Sequence, residues 1–171
     1  MRKMVLSVLV GNTSGVLNRV AGLFSRRGYN IDSLTVGETE NPLFSRMTIV
    51  VHGEEEILEQ IEKQISKLVD VKEITELKEG SSVCRELILV KVAANAEQRA
   101  QIIAIADVFR AKIVDVSPES LMVELTGNQV KLDAFIGLLE GFTVLELVRT
   151  GITGLTRGIE KGGVCYEDVG E

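Results

Sequence analysis

The residues best suited to bind a ligand form a short glycine-bearing loop, Gly11-Asn12-Thr13-Ser14-Gly15. It follows the apolar run from Met4 to Val10 and precedes residues at helical spacing, so it lies between a predicted strand and the start of a predicted helix. Unpaired backbone N–H groups at such a place attract a phosphate or a carboxylate. The loop lacks the GK[ST] ending of a Walker A motif and does not match the GxGxxG of a Rossmann unit. One alternative stays open, in which Asn12, Thr13 or Ser14 caps the helix and the glycines only shape the turn.

A second turn, Gly28-Tyr29-Asn30-Ile31-Asp32, follows the same predicted helix. The side-chain amide of Asn30 can hydrogen-bond a polar ligand group. Asparagine after a helix-ending glycine is also ordinary turn chemistry. This turn by itself therefore decides nothing about function.

Side chains for catalysis are few. His52 is the single histidine and lies at the end of an apolar run beside Gly53. It has no nucleophile or orienting partner that the sequence reveals, so we interpret it as a surface residue at a strand end. Cys84 and Cys165 lack CxxC or Cys/His spacing, which favours two free thiols over a disulfide or a structural zinc site. The sequence predicts no catalytic site and no metal site.

Composition narrows the class of partner. The chain has 171 residues, 45% of them hydrophobic, and a formal net charge of −6 with 4% aromatic residues. This charge and the scarcity of stacking side chains disfavour nucleic acid as a partner. No apolar run approaches the roughly 20 residues that span a bilayer, and Gly11 and Asn12 interrupt the N-terminal apolar run. We expect a cytoplasmic protein that contacts neither membrane nor nucleic acid.

Hydrophobic periodicity predicts the element order βαββαβ in the first half of the chain. The predicted strands are Met4–Val10, Ile31–Val36, Met47–Val51 and Val69–Leu77, and the helices begin after Gly15 and at Glu54. The middle two strands form a hairpin. Two helices then lie on one face of a four-stranded antiparallel sheet, which is the ferredoxin-like arrangement.

The same order returns in the second half, with predicted strands Glu86–Val92, Ile113–Val116, Leu121–Leu125 and Thr143–Val148 and helices near Glu97–Phe109 and Val130–Leu139. The fold class is therefore α+β, with two tandem ferredoxin-like βαββαβ modules. We divide the chain into a first module (1–78), a linker (79–83), a second module (84–158) and a tail of unknown role (159–171). The second module has Ala93-Ala94-Asn95-Ala96 in place of the Asn-x-Ser-Gly loop, so we expect the two modules to do different jobs.

Two stretches around the two turns closely resemble the ACT domain of acetolactate synthase (acetohydroxyacid synthase) small subunits. They are residues 12–20, NTSGVLNRV, and residues 22–34, GLFSRRGYNIDSL. The resemblance continues at residues 45–49, 60–64, 68–71, 85–87, 113–116 and 131–135 and ends at about Gly158.

This resemblance implies a homodimer that forms through the ACT domain and binds valine, or another branched-chain amino acid, at the dimer interface. By motif position, the carboxylate side of the effector site would consist of Asn12, Gly15, Val16 and Leu17. Asn30 and Ile31 would come from the facing subunit. Gly11 stands where many family members have a polar or acidic residue, and Gly37 where a slightly larger small residue is familiar. Both departures bear on effector affinity and effector choice.

The resemblance also implies a regulatory subunit without chemistry of its own. It would activate a separate large catalytic subunit and confer feedback inhibition, with the second module coupling the two chains. Thiamine diphosphate, Mg and FAD would belong to that partner, and no cofactor to this chain. One rival is a stand-alone amino-acid-sensing ACT regulator of another protein or of transcription. Another is a small ferredoxin-like hydrolase of the acylphosphatase kind, but its anion-loop signature with a catalytic arginine is missing.

Overall fold

A computed structural model describes residues 1–158 of the chain. The predicted tail, with Cys165 and Tyr166, lies outside the described residues. The first module consists of β1 (Arg2–Gly11), α1 (Val16–Arg27), β2 (Ser33–Glu38), β3 (Phe44–Gly53), α2 (Glu55–Ile65) and β4 (Val71–Glu76). The second consists of β5 (Ser82–Ala93), α3 (Ala96–Phe109), β6 (Lys112–Val116), β7 (Ser120–Gly127), α4 (Gln129–Leu138), β8 (Val144–Arg149) and β9 (Thr153–Thr156). The predicted α+β class and the repeated βαββαβ order are confirmed.

The first sheet has the strand order β2-β3-β1-β4, and all its neighbours are antiparallel. Alternation along β1 and β3 directs Leu6, Val8, Met47 and Ile49 to one face, because successive side chains of a strand point to opposite sides. α1 and α2 pack their apolar faces against these residues. The predicted β2–β3 hairpin is present.

Helix α1 forms where the sequence predicts it. Val16, Val20, Leu23 and Phe24 recur at helical spacing and are buried, which gives the helix an apolar stripe toward the sheet. Gly28 ends it in the left-handed conformation, with φ at 69°. This conformation is open to glycine at little cost.

The second sheet has the order β6-β7-β5-β8 and carries α3 and α4 on one face. Phe135 of α4 is fully buried and meets Phe109 edge to face, with ring centroids 5.4 Å apart. Asn95 and Gln98 form a reciprocal capping box at the start of α3. The Ala93–Ala96 stretch, which replaces the glycine-bearing loop of the first module, therefore ends in a conventional helix cap.

A strand that periodicity does not predict, β9, pairs with the start of β5. Residues 82–85 lie opposite residues 153–156, so the last two residues assigned to the linker, 82 and 83, are part of a strand. This pairing joins positions about seventy residues apart in the chain, and local sequence patterns do not report such partners. β5 and β9 together form a two-stranded ribbon, the β5–β9 ribbon.

The chain segment that leads into this ribbon packs on the helix-free face of the first sheet. The backbone N–H of Ile152 donates to Ser33 Oγ at 3.0 Å, and its carbonyl accepts from Thr35 Oγ1 at 3.2 Å. Gly151, with φ at +86°, lies so close to Ser33 that a Cβ there would come within 2.5 Å of its Oγ. Thr48 and Val50 face this side and are at most 2% exposed. The second module is thereby attached to β2 of the first.

Candidate functional site

The glycine-bearing loop is held by hydrogen bonds to two later segments of the chain. The Gly11 N–H donates to the Asp70 carbonyl at 2.9 Å. Asn12 donates its backbone N–H to the Leu43 carbonyl at 2.8 Å, and its side-chain Nδ2 to the Pro42 carbonyl at 2.9 Å. Asn12 therefore anchors the loop to the β2–β3 hairpin.

The start of α1 has no side-chain cap. Gly15 is the N-cap residue with φ at 87° and ψ at −7°, and neither a capping hydrogen bond nor an acidic first-turn residue accompanies it. The alternative in which Asn12, Thr13 or Ser14 caps this helix is wrong. α3 and α4, by contrast, are capped by asparagine side chains. The first-turn N–H groups of α1 thus keep the anion-attracting character expected of a helix start.

A guanidinium that the sequence reasoning missed lies beside this loop. Arg19 makes a bidentate pair with Asp70, with Nε to Oδ2 at 2.6 Å and Nη2 to Oδ1 at 3.0 Å. The hydrogen bond from Arg19 lowers the pKa of Asp70 below its usual value. The remaining nitrogen, Nη1, lies 2.9 Å from the place of a Cβ on Gly15. The spacing was a usable signal, since residues four apart on a helix share a face.

Apolar side chains are exposed at this end of the first sheet. Leu17 is 46% exposed, and Val36 and Leu43 are 46% and 71% exposed. Val16, in contrast, is buried in the core, so only its backbone can take part in a site. A Cβ at Gly11 or Gly37 would meet no atom within 4 Å. The backbone therefore has room for a Cβ at both positions.

At the other end of α1, Asn30 belongs to a chain of three polar side chains. Its Nδ2 donates to Asp32 Oδ1 at 2.9 Å, and Asp32 Oδ2 lies 2.5 Å from His52 Nδ1. His52 lies near the end of β3 and is exposed, as the sequence predicts. The carboxylate gives it the orienting partner that the sequence does not reveal. Asn30 and His52 line one hollow of about 240 Å³.

The six predicted effector residues therefore form two groups at opposite ends of α1. Asn12, Gly15, Val16 and Leu17 lie at its start, and Asn30 and Ile31 follow its end. A helix of 12 residues is about 18 Å long at a rise of 1.5 Å per residue. One amino acid cannot touch both groups of a single copy. A site shared between two copies of the chain therefore stays a prediction of the family resemblance.

Within residues 1–158, no cluster of three or more histidine, cysteine, aspartate or glutamate side chains is arranged to hold a metal ion. Cys84 is a free thiol, and Cys165 lies outside the described residues. None of the helices in the described part is long and apolar enough to cross a membrane.

Two ferredoxin-like modules in tandem, with an uncapped helix start in the first, define the class of tandem ferredoxin-like proteins. The family model for the AHAS small subunit-like ACT domain matches residues 6–73, and the model for the small subunit of acetolactate synthase matches residues 85–158. The chain belongs to the family of acetolactate synthase small subunits, and its first module is an ACT domain.

Individual relatives agree with this assignment. The acetolactate synthase isozyme 3 small subunit of Escherichia coli is 49% identical over 155 residues, covering 90% of this chain and 95% of the relative. The probable small subunit of Methanothermobacter thermautotrophicus is 51% identical over 155 residues, covering 90% and 92%. A crystal structure of the small subunit from Thermotoga maritima superposes with a TM-score of 0.85 at 44% identity, covering 93% of this chain and 99% of that one. The family resemblance read from the sequence is confirmed, whereas the effector residues stay predictions.

Proposed function

We propose that this chain is a regulatory subunit that activates a separate large catalytic subunit of acetolactate synthase and makes that subunit sensitive to feedback by valine or a related branched-chain amino acid. The observation that carries the proposal is the match of both modules to small subunits of this enzyme. A small subunit without a catalytic constellation of its own acts by biasing the conformations of its partner.

The effector binds between two ACT domains of a homodimer. Its carboxylate lies at the start of α1, where uncapped N–H groups and the guanidinium of Arg19 favour an anion. Its ammonium group meets the amide oxygen of Asn30 from the facing copy. The branched side chain packs against exposed apolar groups such as Leu17. Valine is one methylene smaller than the isomers leucine and isoleucine, and one methylene is worth only about 1 to 3 kcal/mol in such a pocket.

The second module, residues 84–158, transmits the state of the effector site to the catalytic chain. Support comes from the two hydrogen bonds between Ile152 and β2, the strand that begins three residues after Asn30. A displacement of Asn30 on effector binding would therefore be passed through β2 to the contact with the second module. Thiamine diphosphate, Mg and FAD remain with the catalytic partner.

The main experiment mixes the full chain with the large subunit of the same organism and follows acetolactate formation from pyruvate. The isolated chain should produce none, and its addition should raise the rate of the large subunit. Valine, leucine and isoleucine are then titrated into the mixture, and at least one should lower the rate. Failure of the chain either to bind or to change the rate of the large subunit would reject the proposal. Retention on DNA at moderate salt would favour the stand-alone regulator instead.

The division of labour is tested with residues 1–78 alone. This fragment contains a complete four-stranded sheet with its two helices, so it should bind the effector in isothermal titration. It should activate the large subunit less than the full chain does and transmit less inhibition. If the fragment activated and transmitted feedback as fully as the whole chain, the proposed role of the second module would be wrong.

Asn30→Ala tests the ammonium contact. Valine affinity should fall by about 1 to 3 kcal/mol, the cost of losing one buried polar pairing. Gln101→Ala is the matched control, because it removes an exposed side-chain amide on α3 of the second module. Equal affinities in the two variants would exclude Asn30 from the effector site while leaving the regulatory role intact.

A further inference from the structure

We infer that Asp32 and His52 are positioning residues for the effector site, and that together they hold the amide of Asn30 with its oxygen free to accept the ammonium group of the bound amino acid. This inference rests on the proposed function, since it concerns the same site. Neither residue is among the six effector residues that the family resemblance assigns.

The first step is the orientation of the Asn30 amide. Its Nδ2 donates to Asp32 Oδ1 at 2.9 Å, so the nitrogen end of the amide is directed at Asp32. An amide has one acceptor end and one donor end. With the donor end held, the oxygen faces away from Asp32 and can accept from an incoming cation. The reverse orientation would present N–H groups to the ammonium group and repel it.

The second step is the immobilisation of Asp32. Its backbone N–H donates to the Val50 carbonyl at 2.9 Å, which fixes the main chain at the start of β2. Its Oδ2 lies 2.5 Å from His52 Nδ1. A carboxylate can only accept, so this ring nitrogen carries the proton and donates. The two oxygens of one carboxylate are thus divided between Asn30 and His52.

The third step is the electrostatic effect on the ligand. The carboxylate of Asp32 places a negative charge one hydrogen bond away from the amide that meets the ammonium group. A hydrogen-bond donor polarised by a charged acceptor strengthens the acceptor at the other end of the same amide. A charge-assisted chain of this kind is stronger than one made of neutral groups. The side chains of His52 and Asp32 are 46% and 33% exposed, which leaves room for a ligand bound between the two copies.

The test uses the full chain and isothermal titration with valine, supported by inhibition curves in the presence of the large subunit. Asp32→Asn and His52→Ala should each weaken valine binding by about tenfold, as expected for one lost hydrogen bond to a charged group. His52→Asn keeps an N–H donor near the position of Nδ1 and should bind valine within about threefold of the wild type. A merely structural role of His52 would not distinguish asparagine from alanine. Gln101→Ala, an exposed residue on α3 of the second module, is the control and should leave valine affinity unchanged.

A double-mutant cycle decides whether Asp32 acts through Asn30. In the Asn30→Ala background, Asp32→Asn should change valine affinity by less than about twofold, because the amide it positions is absent. Independent tenfold losses that multiply would overturn the inference. So would equal valine affinity of Asp32→Asn and the wild type. If the wild type itself bound none of the three branched-chain amino acids, the proposed function would fail first, and the two failures are therefore distinguishable.

Discussion

Gly15→Asp places a carboxylate where the carboxylate of the effector is proposed to lie, and it should abolish feedback while sparing activation. The new side chain points toward Arg19, since a Cβ at this position lies 2.9 Å from Nη1. The aspartate would therefore pair with the cation that otherwise attracts the ligand. It would also repel the ligand directly, by about 3 kcal/mol at about 5 Å and an effective dielectric constant of about 20. This free energy corresponds to a loss of roughly 100-fold in affinity.

Strain must be separated from charge, because Gly15 has φ at +87°. A residue with a Cβ in the left-handed region costs about 1 kcal/mol or slightly more. Gly15→Ala carries that strain without the charge and is the matched control. Both variants should show a similar drop in melting temperature, of a few degrees for a domain of this size. Only Gly15→Asp should lose valine binding by two orders of magnitude.

The assays are isothermal titration with valine, thermal melting, and the rate of acetolactate formation with the large subunit at rising valine concentration. Equal losses of affinity in Gly15→Ala and Gly15→Asp would mean that the shape of the loop matters and its charge does not. Unchanged affinity in Gly15→Asp would place the effector elsewhere, even though family membership would stand.

Two further predictions concern the contact between the two modules and the ion pair between Arg19 and Asp70. Gly151→Ala should lower the free energy of unfolding by roughly 1 to 3 kcal/mol and weaken transmission of inhibition, because its Cβ would clash with Ser33 and its φ is positive. Gly80→Ala is the control, since Gly80 also has a positive φ but a Cβ there would meet no atom within 4 Å. Equal effects of the two variants on inhibition would contradict the proposed coupling. Asp70→Asn should lower the melting temperature near neutral pH. Arg19 lowers the pKa of Asp70, so the stabilisation is present above the unfolded pKa of about 4 and is lost as the pH falls through the folded value. The difference in melting temperature between wild type and variant should shrink below about pH 4, and a difference independent of pH would contradict this account.

The βαββαβ order of both modules was accessible from the sequence because apolar spacing along a helix or a strand is a local signal. In α1, buried residues recur at helical spacing and Gly28 ends the helix, which are local signals that survive without knowledge of neighbours. Family membership was likewise accessible, since it depends on runs such as residues 12–20 and 22–34 rather than on packing. The open start of α1 was half accessible: the glycines marked the loop, but its sequence also offered Asn12, Thr13 and Ser14 as caps.

Only the tertiary structure decided which of these residues touch. Asp70 reaches Arg19 across 51 positions of sequence, and His52 reaches Asp32 across 20, and no local pattern encodes such pairings. β9 escaped prediction for the same reason: its four residues are strand because β5 lies beside them, and tertiary context overrides weak propensity. The separation of Gly15 from Asn30 follows from the length of α1, which the sequence determined. Asn30 and Asp32 are only two positions apart, so their hydrogen bond is local. That the second carboxylate oxygen of Asp32 meets His52 depends on the approach of β2 and β3, which only the fold could decide, because strand pairing brings together residues that are distant in the chain.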